Sequence, residues 1–316
     1  SVAVTMESPA VVWNAWHFEP GIVAALGSLA VAYALAAGRF RKALLRLGGP
    51  PPAWLPPGAL SPERPGRLTA WQAAAFYAGI VVAAVSLLSP LHALGEQYLL
   101  SAHMVQHLLL TLVVPPLLLL GTPGWMLRPL LRRPPLRDLA RNLLAPIPAF
   151  LLFNAVFLLW HVPAVYELSL RFAPLHALEH VAFGGLALLT WWPVFGPVPE
   201  FPRLPYGAQV VYLFFQSLPP TVLGAIIALA ERPIYATYWA APRLIPGLEP
   251  LADQQAGGLI MWIPGALGYF LVLSVVFFLW MEVRGQAADP PYRSINPDRA
   301  RTRRAPNSEA KANAQP

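Results

Sequence analysis

The stretch LLSAHMVQHLLL, residues 99–110, places two histidines, a methionine and a glutamine in a run that otherwise has the apolar side chains of a membrane-spanning helix. Residues four positions apart lie on one face of a helix, so His103 and His107 are neighbours about 6 Å apart. Polar groups inside a bilayer are costly unless they face the interior of a helix bundle and find partners there. The stretch therefore predicts a membrane helix whose polar face contributes to a binding site.

The composition of the whole chain agrees with a membrane protein. Of its 316 residues, 56% are hydrophobic and 12% are charged, and the mean hydropathy is +0.51, whereas about a quarter of the residues of a soluble domain are charged. The sequence contains no cysteine, which excludes disulfides and thiolate metal sites and leaves histidine, methionine and carboxylates as metal ligands. The net charge of +7 comes from connectors between apolar runs, which indicates membrane orientation and not nucleic-acid binding.

Apolar stretches of about 20 residues, the length that crosses about 30 Å of hydrocarbon, recur seven times. They predict an all-α, polytopic membrane protein whose transmembrane helices lie near residues 20–37, 69–88, 98–120, 144–162, 175–195, 206–229 and 257–281. We expect an extracytoplasmic N-terminal segment at residues 1–19, one seven-helix domain at residues 20–283 and a disordered cytoplasmic tail at residues 284–316. The first stretch has no basic leader, so we expect it to be retained and not cleaved.

The distribution of lysine and arginine predicts the orientation of these helices. The connectors after the first, third and fifth helices, together with the tail, contain 19 of the 22 basic residues, and the opposite side contains only Arg171, Arg232 and Arg243. Because basic residues prefer the cytoplasmic side, we expect the N-terminus outside and the C-terminus in the cytoplasm. All seven histidines then fall on the outer side or in the outer half of the membrane.

This common depth makes the histidines a candidate metal site. His176 and His180 repeat the spacing of His103 and His107 at the outer end of the fifth helix. The candidate ligands share the outer half of the membrane and are His103, His107, His161, His176, His180, Met104 and Met261. The alternative is that the histidines only form hydrogen bonds between helices and that the methionines are packing residues.

Four further residues are candidates for a supporting or gating role. Glu179 is placed either to orient an imidazole or to be an interfacial carboxylate. Asp253 either caps the start of the seventh helix or closes over the histidines with the help of the Gly257–Gly258 pair. His17 and His92 lie in or next to aqueous loops, so we expect them to be solvated or interfacial.

Histidine and thioether ligands without thiolate favour copper, which accepts them in either oxidation state, over hard cations. Zinc held by several histidines and haem held between opposed histidines are the alternatives. The inner halves of the helices contain no ionisable residue, which argues against a transporter. No nucleophile, general base and oxyanion donor fall together at one membrane level, so we expect a protein that is not an enzyme.

Four segments in this chain resemble the CtaG family, bacterial assembly factors for caa3-type cytochrome c oxidase. They are SPLHALGEQYLLSAHMVQHLLL, LLWHVPAVYE, HALEH and DQQAGGLIMWIPG, in that order. The resemblance extends over about residues 15–283 and implies a seven-helix protein of the bacterial cell membrane that is required to make an active oxidase, through delivery or insertion of copper.

The pattern of histidines and the family resemblance lead to one hypothesis. The histidines would form a transient copper site that accepts the ion from an extracytoplasmic copper carrier and passes it to a cytochrome c oxidase subunit in the lipid bilayer. The competing hypotheses are a haem-binding membrane protein and, less favoured, a copper transporter.

Overall fold

The computed structural model describes residues 18–49 and 67–288, together with Trp13 and Trp16. Within these ranges the chain is helical and contains no strand, which confirms the all-α prediction. Residues up to Phe277 form one unit and those from Phe278 onward a second. The histidines discussed below belong to the first unit.

The helices are numbered here in chain order. They are α1 (Pro20–Ala37), α2 (Arg41–Gly48), α3 (Ala70–Leu88), α4 (Pro90–Gln97), α5 (Leu100–Gly121), α6 (Gly124–Leu131), α7 (Pro134–Leu143), α8 (Pro146–Trp160), α9 (Pro163–Arg171), α10 (Ala173–Phe195), α11 (Tyr206–Ala228), α12 (Ala236–Ala240) and α13 (Pro250–Ala288).

Five helices in the described part of the chain, α1, α3, α5, α11 and α13, are long and apolar enough to cross a membrane. The pairs α7–α8 and α9–α10 bend by 73° and 119° at their junctions, and counting each pair as one span raises the number to seven. The predicted helix positions therefore agree with the structure, while the number of spans lies between five and seven. The outward faces are apolar, with Val81, Ile147, Val181 and Val222 between 57% and 71% exposed, as expected for contact with lipid.

A short helix outside the predicted spans brings two long helices together. Ser89 ends α3 and its Oγ accepts a hydrogen bond from Leu91 N, which begins α4. Helix α4 then packs on α5 so closely that a Cβ atom at Gly95 would lie 3.0 Å from the Cα and N atoms of His103. Glycine is required for this close approach, because the neighbouring atoms belong to backbone.

Helix α5 contains one π turn, Leu109–Val113, just after the histidine pair. Pro115 has no N–H and cannot bond to the carbonyl four residues earlier. That carbonyl, Thr111 O, instead accepts a hydrogen bond from Trp191 Nε1 of α10 at 2.7 Å. The hydroxyl of Thr111 donates to His107 O at 2.7 Å. The altered turn is therefore explained by a proline and is fixed to the neighbouring helix.

Helix α13 approaches both α5 and α11 at glycines, as predicted for Gly257 and Gly258. A Cβ atom at Gly257 would lie 3.2 Å from the backbone of Leu100 and Ser101, and one at Gly224 would lie 2.8 Å from Trp262 N. The helices carrying the histidines thus meet in one apolar cluster, which includes Leu100, Met104, Phe157, Tyr166, Phe183 and Met261.

Candidate metal centre

His103, His107 and Glu179 form a group, called here the inner group, in which α5 and α10 bring three potential ligands together. One carboxylate oxygen, Glu179 Oε1, lies 3.6 Å from His107 Nε2 and 3.9 Å from His103 Nε2. The ring centroids of the two histidines are 4.0 Å apart. One nitrogen from each histidine and one oxygen of Glu179 lie within 4.8 Å of one another, so a single ion could contact all three residues.

The inner group is buried and its polar atoms are only weakly paired. The side chains of His103 and Glu179 are 0% exposed. The ring nitrogens of His103 and His107 and the oxygens of Glu179 make no hydrogen bond shorter than 3.5 Å, and the two histidines contact Glu179 at 3.9 and 3.6 Å. The hydroxyl of Ser169 donates to Tyr166 O at 2.8 Å and also interacts with the Glu179 carboxylate. Buried polar groups are nearly always satisfied, so these three weakly paired residues are the candidate ligands of the inner group.

His161 lies at the edge of the inner group in a fixed orientation. Its Nδ1 donates to Phe157 O at 2.7 Å, which leaves the lone pair of the neutral ring on Nε2. Tyr235 donates its hydroxyl to His161 O at 3.0 Å. The ring centroids of His161 and His107 are 6.0 Å apart. His161 is therefore held as an adjacent imidazole and is not one of the three convergent residues.

Met104 and Met261 lie beside the same group. Both are buried, and together with His107 and Phe157 they line a cavity of about 20 Å³, which is room for about one water molecule. The structure therefore brings the two predicted thioethers to one cavity that His107 also lines.

Four other residues form a second group, called here the outer group: His92, Glu96, His176 and His180. Glu96 Oε1 lies 2.8 Å from His92 Nε2 and 2.8 Å from His176 Nε2. His176 Nε2 and His180 Nε2 are 2.6 Å apart, so they share a proton in an N–H···N hydrogen bond. One atom from each of the four residues lies within 4.8 Å of the others.

The outer group differs from the inner one in exposure and in hydrogen bonding. The side chains of Glu96 and His176 are 25% and 11% exposed. Gln106 Nε2 donates to His92 Nδ1 at 2.9 Å and to Ser86 O at 2.8 Å. Burial opposes the charge of Glu96, but the imidazoles of His176 and His92 hold the pKa of this carboxyl below its usual range. The outer group is thus joined by short polar contacts, and His180 Nδ1 is its one buried nitrogen without a hydrogen bond.

Asp253 has a role that the sequence did not predict. It lies in the first turn of α13, but its carboxylate caps a different helix, accepting from Leu100 N at 2.6 Å and from the hydroxyl of Ser101. Gln254 Oε1 accepts from Ile234 N at 2.6 Å. Asp253 therefore fixes the start of α5, the helix that carries the inner histidines, and neither coordinates nor covers them.

Tyrosines hold the segment between α11 and α13 against this end of the bundle. Tyr238 donates to Gly95 O at 2.5 Å, and its hydroxyl also bonds to that of Tyr166. Tyr166 packs edge-on against His103, with ring centroids 5.2 Å apart. Glu167 accepts hydrogen bonds from both the backbone N and the hydroxyl of Thr237. Tyr238 of α12 thus contacts α4 and Tyr166, which themselves pack against His103.

The structure distributes the predicted residues over two groups where we expected one. Contrary to expectation, His92 is buried, in α4, and belongs to the outer group. His17 lies outside the described residues. Sequence reasoning missed Glu96 and Gln106. The spacing of His92 and Glu96, four residues apart after the Ser89–Pro90 helix start, was the available signal for Glu96.

Comparisons with known proteins address the identity of the chain. It is 27% identical over 305 residues to an uncharacterized protein of Mycobacterium bovis, an alignment that covers 92% of this chain and 43% of that protein. It is 26% identical over 232 residues to an uncharacterized protein of Mycobacterium leprae, covering 68% and 34%. The chain thus spans less than half the length of these relatives. No solved structure matches.

A family model described as cytochrome c oxidase caa3 assembly factor matches residues 58–283. This range contains six of the seven histidines and all residues of both groups. The chain therefore belongs to the family of cytochrome c oxidase caa3 assembly factors.

Proposed function

We propose that the protein assists assembly of a haem-copper cytochrome c oxidase by binding copper at the inner group and delivering it to an oxidase subunit. The observation that carries this proposal is the convergence of three buried residues, His103, His107 and Glu179, whose ligand atoms lie within 4.8 Å of one another. Burying a carboxylate and two imidazoles with only long contacts between them is costly, and an ion bound between them reduces that cost. Family membership supplies the process in which this binding is used.

The ligand set supports copper. Two imidazoles and a carboxylate suit cupric ion, and the thioethers of Met104 and Met261 beside His107 suit cuprous ion. Calcium and magnesium prefer shells of oxygen ligands, of which the inner group has one residue. Zinc also accepts this set, and metal analysis distinguishes it from copper.

Haem is a poorer fit to the same geometry. A bis-histidine haem needs its two imidazoles on opposite sides of a porphyrin, but His103 and His107 lie on one helix with ring centroids 4.0 Å apart. The cavity beside them has about 20 Å³, far below the 300 Å³ or so of a typical small-molecule site. These observations favour a bare ion as the ligand.

The charge distribution supports an orientation in which copper arrives from outside the cell. The connector that follows the C-terminal end of α5 is basic, and its Arg128 pairs at 2.8 Å with Glu200 in the connector that follows α10. Both histidine groups lie near the opposite ends of the same two helices. Because basic connectors favour the cytoplasm, we propose that the histidine end faces outward, where an extracytoplasmic copper carrier reaches it.

The experiment is metal analysis of detergent-purified protein, before and after cuprous ion is added, alongside its visible spectrum. We expect about one tightly bound copper per chain and no Soret band. His103→Ala combined with His107→Ala should weaken copper binding more than about 100-fold, since loss of supporting residues alone costs 10- to 100-fold. The double variant should remain in the membrane at normal abundance, because both changes remove polar groups from an apolar environment.

The matched control is Asn154→Ala combined with Gln216→Ala. These residues form a buried polar pair between α8 and α11, with Asn154 Nδ2 3.2 Å from Gln216 Oε1, and belong to neither group. This control should keep its copper. In cells, the histidine double variant should yield an oxidase that has its haems and lacks copper, with partial recovery in added copper. Normal oxidase copper at normal protein level would contradict the proposal.

We also propose that the protein acts without covalent turnover, since neither group combines a nucleophile with a base and an oxyanion donor. Purified, copper-loaded protein should not oxidise cuprous ion or a small reductant catalytically. Steady oxygen consumption that disappears with His103→Ala would contradict this.

A further inference from the structure

We infer that the outer group is the port through which copper reaches and leaves the inner group, an inference that rests on the proposed function of the inner group. His92, Glu96, His176 and His180 would hold the ion transiently, and His103, His107 and Glu179 would hold it at equilibrium. Three features support this role: the connection between the groups, their different exposure and their different hydrogen bonding.

The two groups are connected because α10 supplies ligands to both, while α5 supplies the other inner ligands and the adjacent α4 supplies the other outer ones. On α10, Glu179 of the inner group is flanked in sequence by His176 and His180 of the outer group. On α5, Gln106, which holds His92, directly precedes His107. Gly95 of α4 packs on the backbone of His103, and Glu96 is the next residue. Ligands of the two groups are therefore neighbours along α10, and residues of α4 and α5 link the groups a second time.

Exposure gives the order in which an ion meets the groups. Glu96 and His176 are partly exposed, and His103 and Glu179 have no exposed surface. On the other sides, the inner group is enclosed by apolar and aromatic side chains, among them Tyr166, Phe183 and Met104. A hydrated ion exchanges its water for ligands most easily where the first ligand is still in contact with water, and the outer group meets that condition.

Hydrogen bonding gives the order of affinities. An ion that binds the outer group must compete with the contacts of Glu96 to His92 and His176 and with the contact between His176 and His180, which are 2.6 to 2.8 Å long. The inner residues contact one another at the longer distances of 3.6 and 3.9 Å. The ion is therefore expected to pass through the outer group and to stay in the inner one.

The test compares the kinetics and the equilibrium of copper binding to the full-length protein in detergent. Cuprous ion is supplied from a weak colorimetric chelator to measure loading and withdrawn by a strong one to measure release. Glu96→Gln removes the charge that holds His92 and His176 together and keeps the shape of the side chain. We expect loading and release to slow by the same factor, about tenfold or more, with unchanged equilibrium affinity.

Loading and release must slow by equal factors, because the dissociation constant of the inner site is the release rate constant divided by the loading rate constant. The control is Glu167→Gln, a similar change in a carboxylate that binds Thr237 and belongs to neither group; its rates should equal those of the original protein. If Glu96→Gln does not fold, His92→Gln in α4 replaces it, with the same expectation.

Three outcomes would overturn the inference while leaving the proposed function standing. The first is unchanged loading and release in the Glu96 and His92 variants. The second is a loss of equilibrium affinity with unchanged loading. The third is a second tightly held copper that disappears with Glu96→Gln, which would make the outer group an independent site. Failure of the proposed function is distinct, because copper would then bind equally well after removal of His103 and His107.

Discussion

The inner and outer groups contain similar side chains, yet these side chains contact one another differently. Each group has imidazoles and one glutamate. In the outer group these residues contact one another and Gln106 at 2.6 to 2.9 Å, whereas in the inner group the glutamate lies 3.6 and 3.9 Å from the two histidines. Residue type alone therefore does not identify a binding site. The geometry decides whether a histidine–glutamate cluster is complete in itself or needs a ligand.

The strongest test of this contrast makes the same substitution, glutamate to glutamine, in each of the two groups. Glu179→Gln should weaken equilibrium copper binding by about 100-fold, because it removes the one anionic ligand of a fully buried site. Glu96→Gln should leave that equilibrium unchanged. Both variants are measured by competition with a chelator of known affinity. If Glu96→Gln proves the more damaging at equilibrium, the assignment of the tight site to the inner group is wrong.

A second test separates the helices that carry the two groups. The new Cβ of Gly95→Ala would lie 3.0 Å from backbone atoms of His103, so α4 must move away from α5. We expect a loss of about 1–3 kcal/mol of stability, as for other overpacked sites, together with slower copper loading. Thermal unfolding in detergent measures the first effect.

The control for Gly95→Ala is Gly184→Ala in α10, where a Cβ would meet no atom within 4 Å. Its unfolding temperature should stay the same or rise slightly, because alanine favours helix. Equal losses in the two variants would show that glycine itself, and not the approach of α4 to His103, is needed.

A third test concerns the support of the inner group. Asp253→Ala removes the acceptor of Leu100 N and the Ser101 hydroxyl, so we expect a loss of about 1 kcal/mol, the usual cost of losing a helix cap. Copper affinity should change little, since Asp253 does not contact the inner residues. Gln255→Ala, which removes a more weakly placed bond to Ala230 O at 3.2 Å, should be milder. Loss of copper without loss of stability would instead make Asp253 a ligand.

The smallest effect is expected from Gln106→Leu. The side-chain amide of Gln106 donates to His92 and to Ser86 O, so loading should slow by a smaller factor than in the Glu96 variant, and equilibrium binding should not change. Stopped-flow loading measures the difference. A drop in affinity comparable to that of Glu179→Gln would mean that the two groups bind one ion together.

Sequence spacing predicted the helices and the paired histidines because both are properties of a single helix. The interval of four residues places His103 with His107, and His176 with His180, wherever those helices lie. It does not say which helices face each other. The short helix α4, too brief to span a membrane, turns His92 and Glu96 toward His176, and long-range contacts such as the packing at Gly95 fix that direction.

The role of Asp253 also depends on which helices pack together, which a local sequence pattern does not predict. A carboxylate in a first helical turn predicts a cap of its own helix, but the contact at Gly257 brings the start of α5 within its reach. The contact depends on residues about 150 positions apart in the chain, and no local pattern reports such a pairing. The orientation of the bundle in the membrane and the identity of the bound ion stay predictions.

The π turn at Leu109–Val113 makes the length of α5 as important as its composition. The additional residue in that turn rotates every following side chain by about 100° relative to a regular helix. Before the turn, His103 and His107 face Glu179. Leu110 within the turn and Val114 after it pack against Ala83 of α3. Deleting a single residue here would leave an apolar, membrane-inserted helix whose two halves could no longer both fit their neighbours, so this segment should tolerate exchange of one aliphatic residue for another far better than a change in their number.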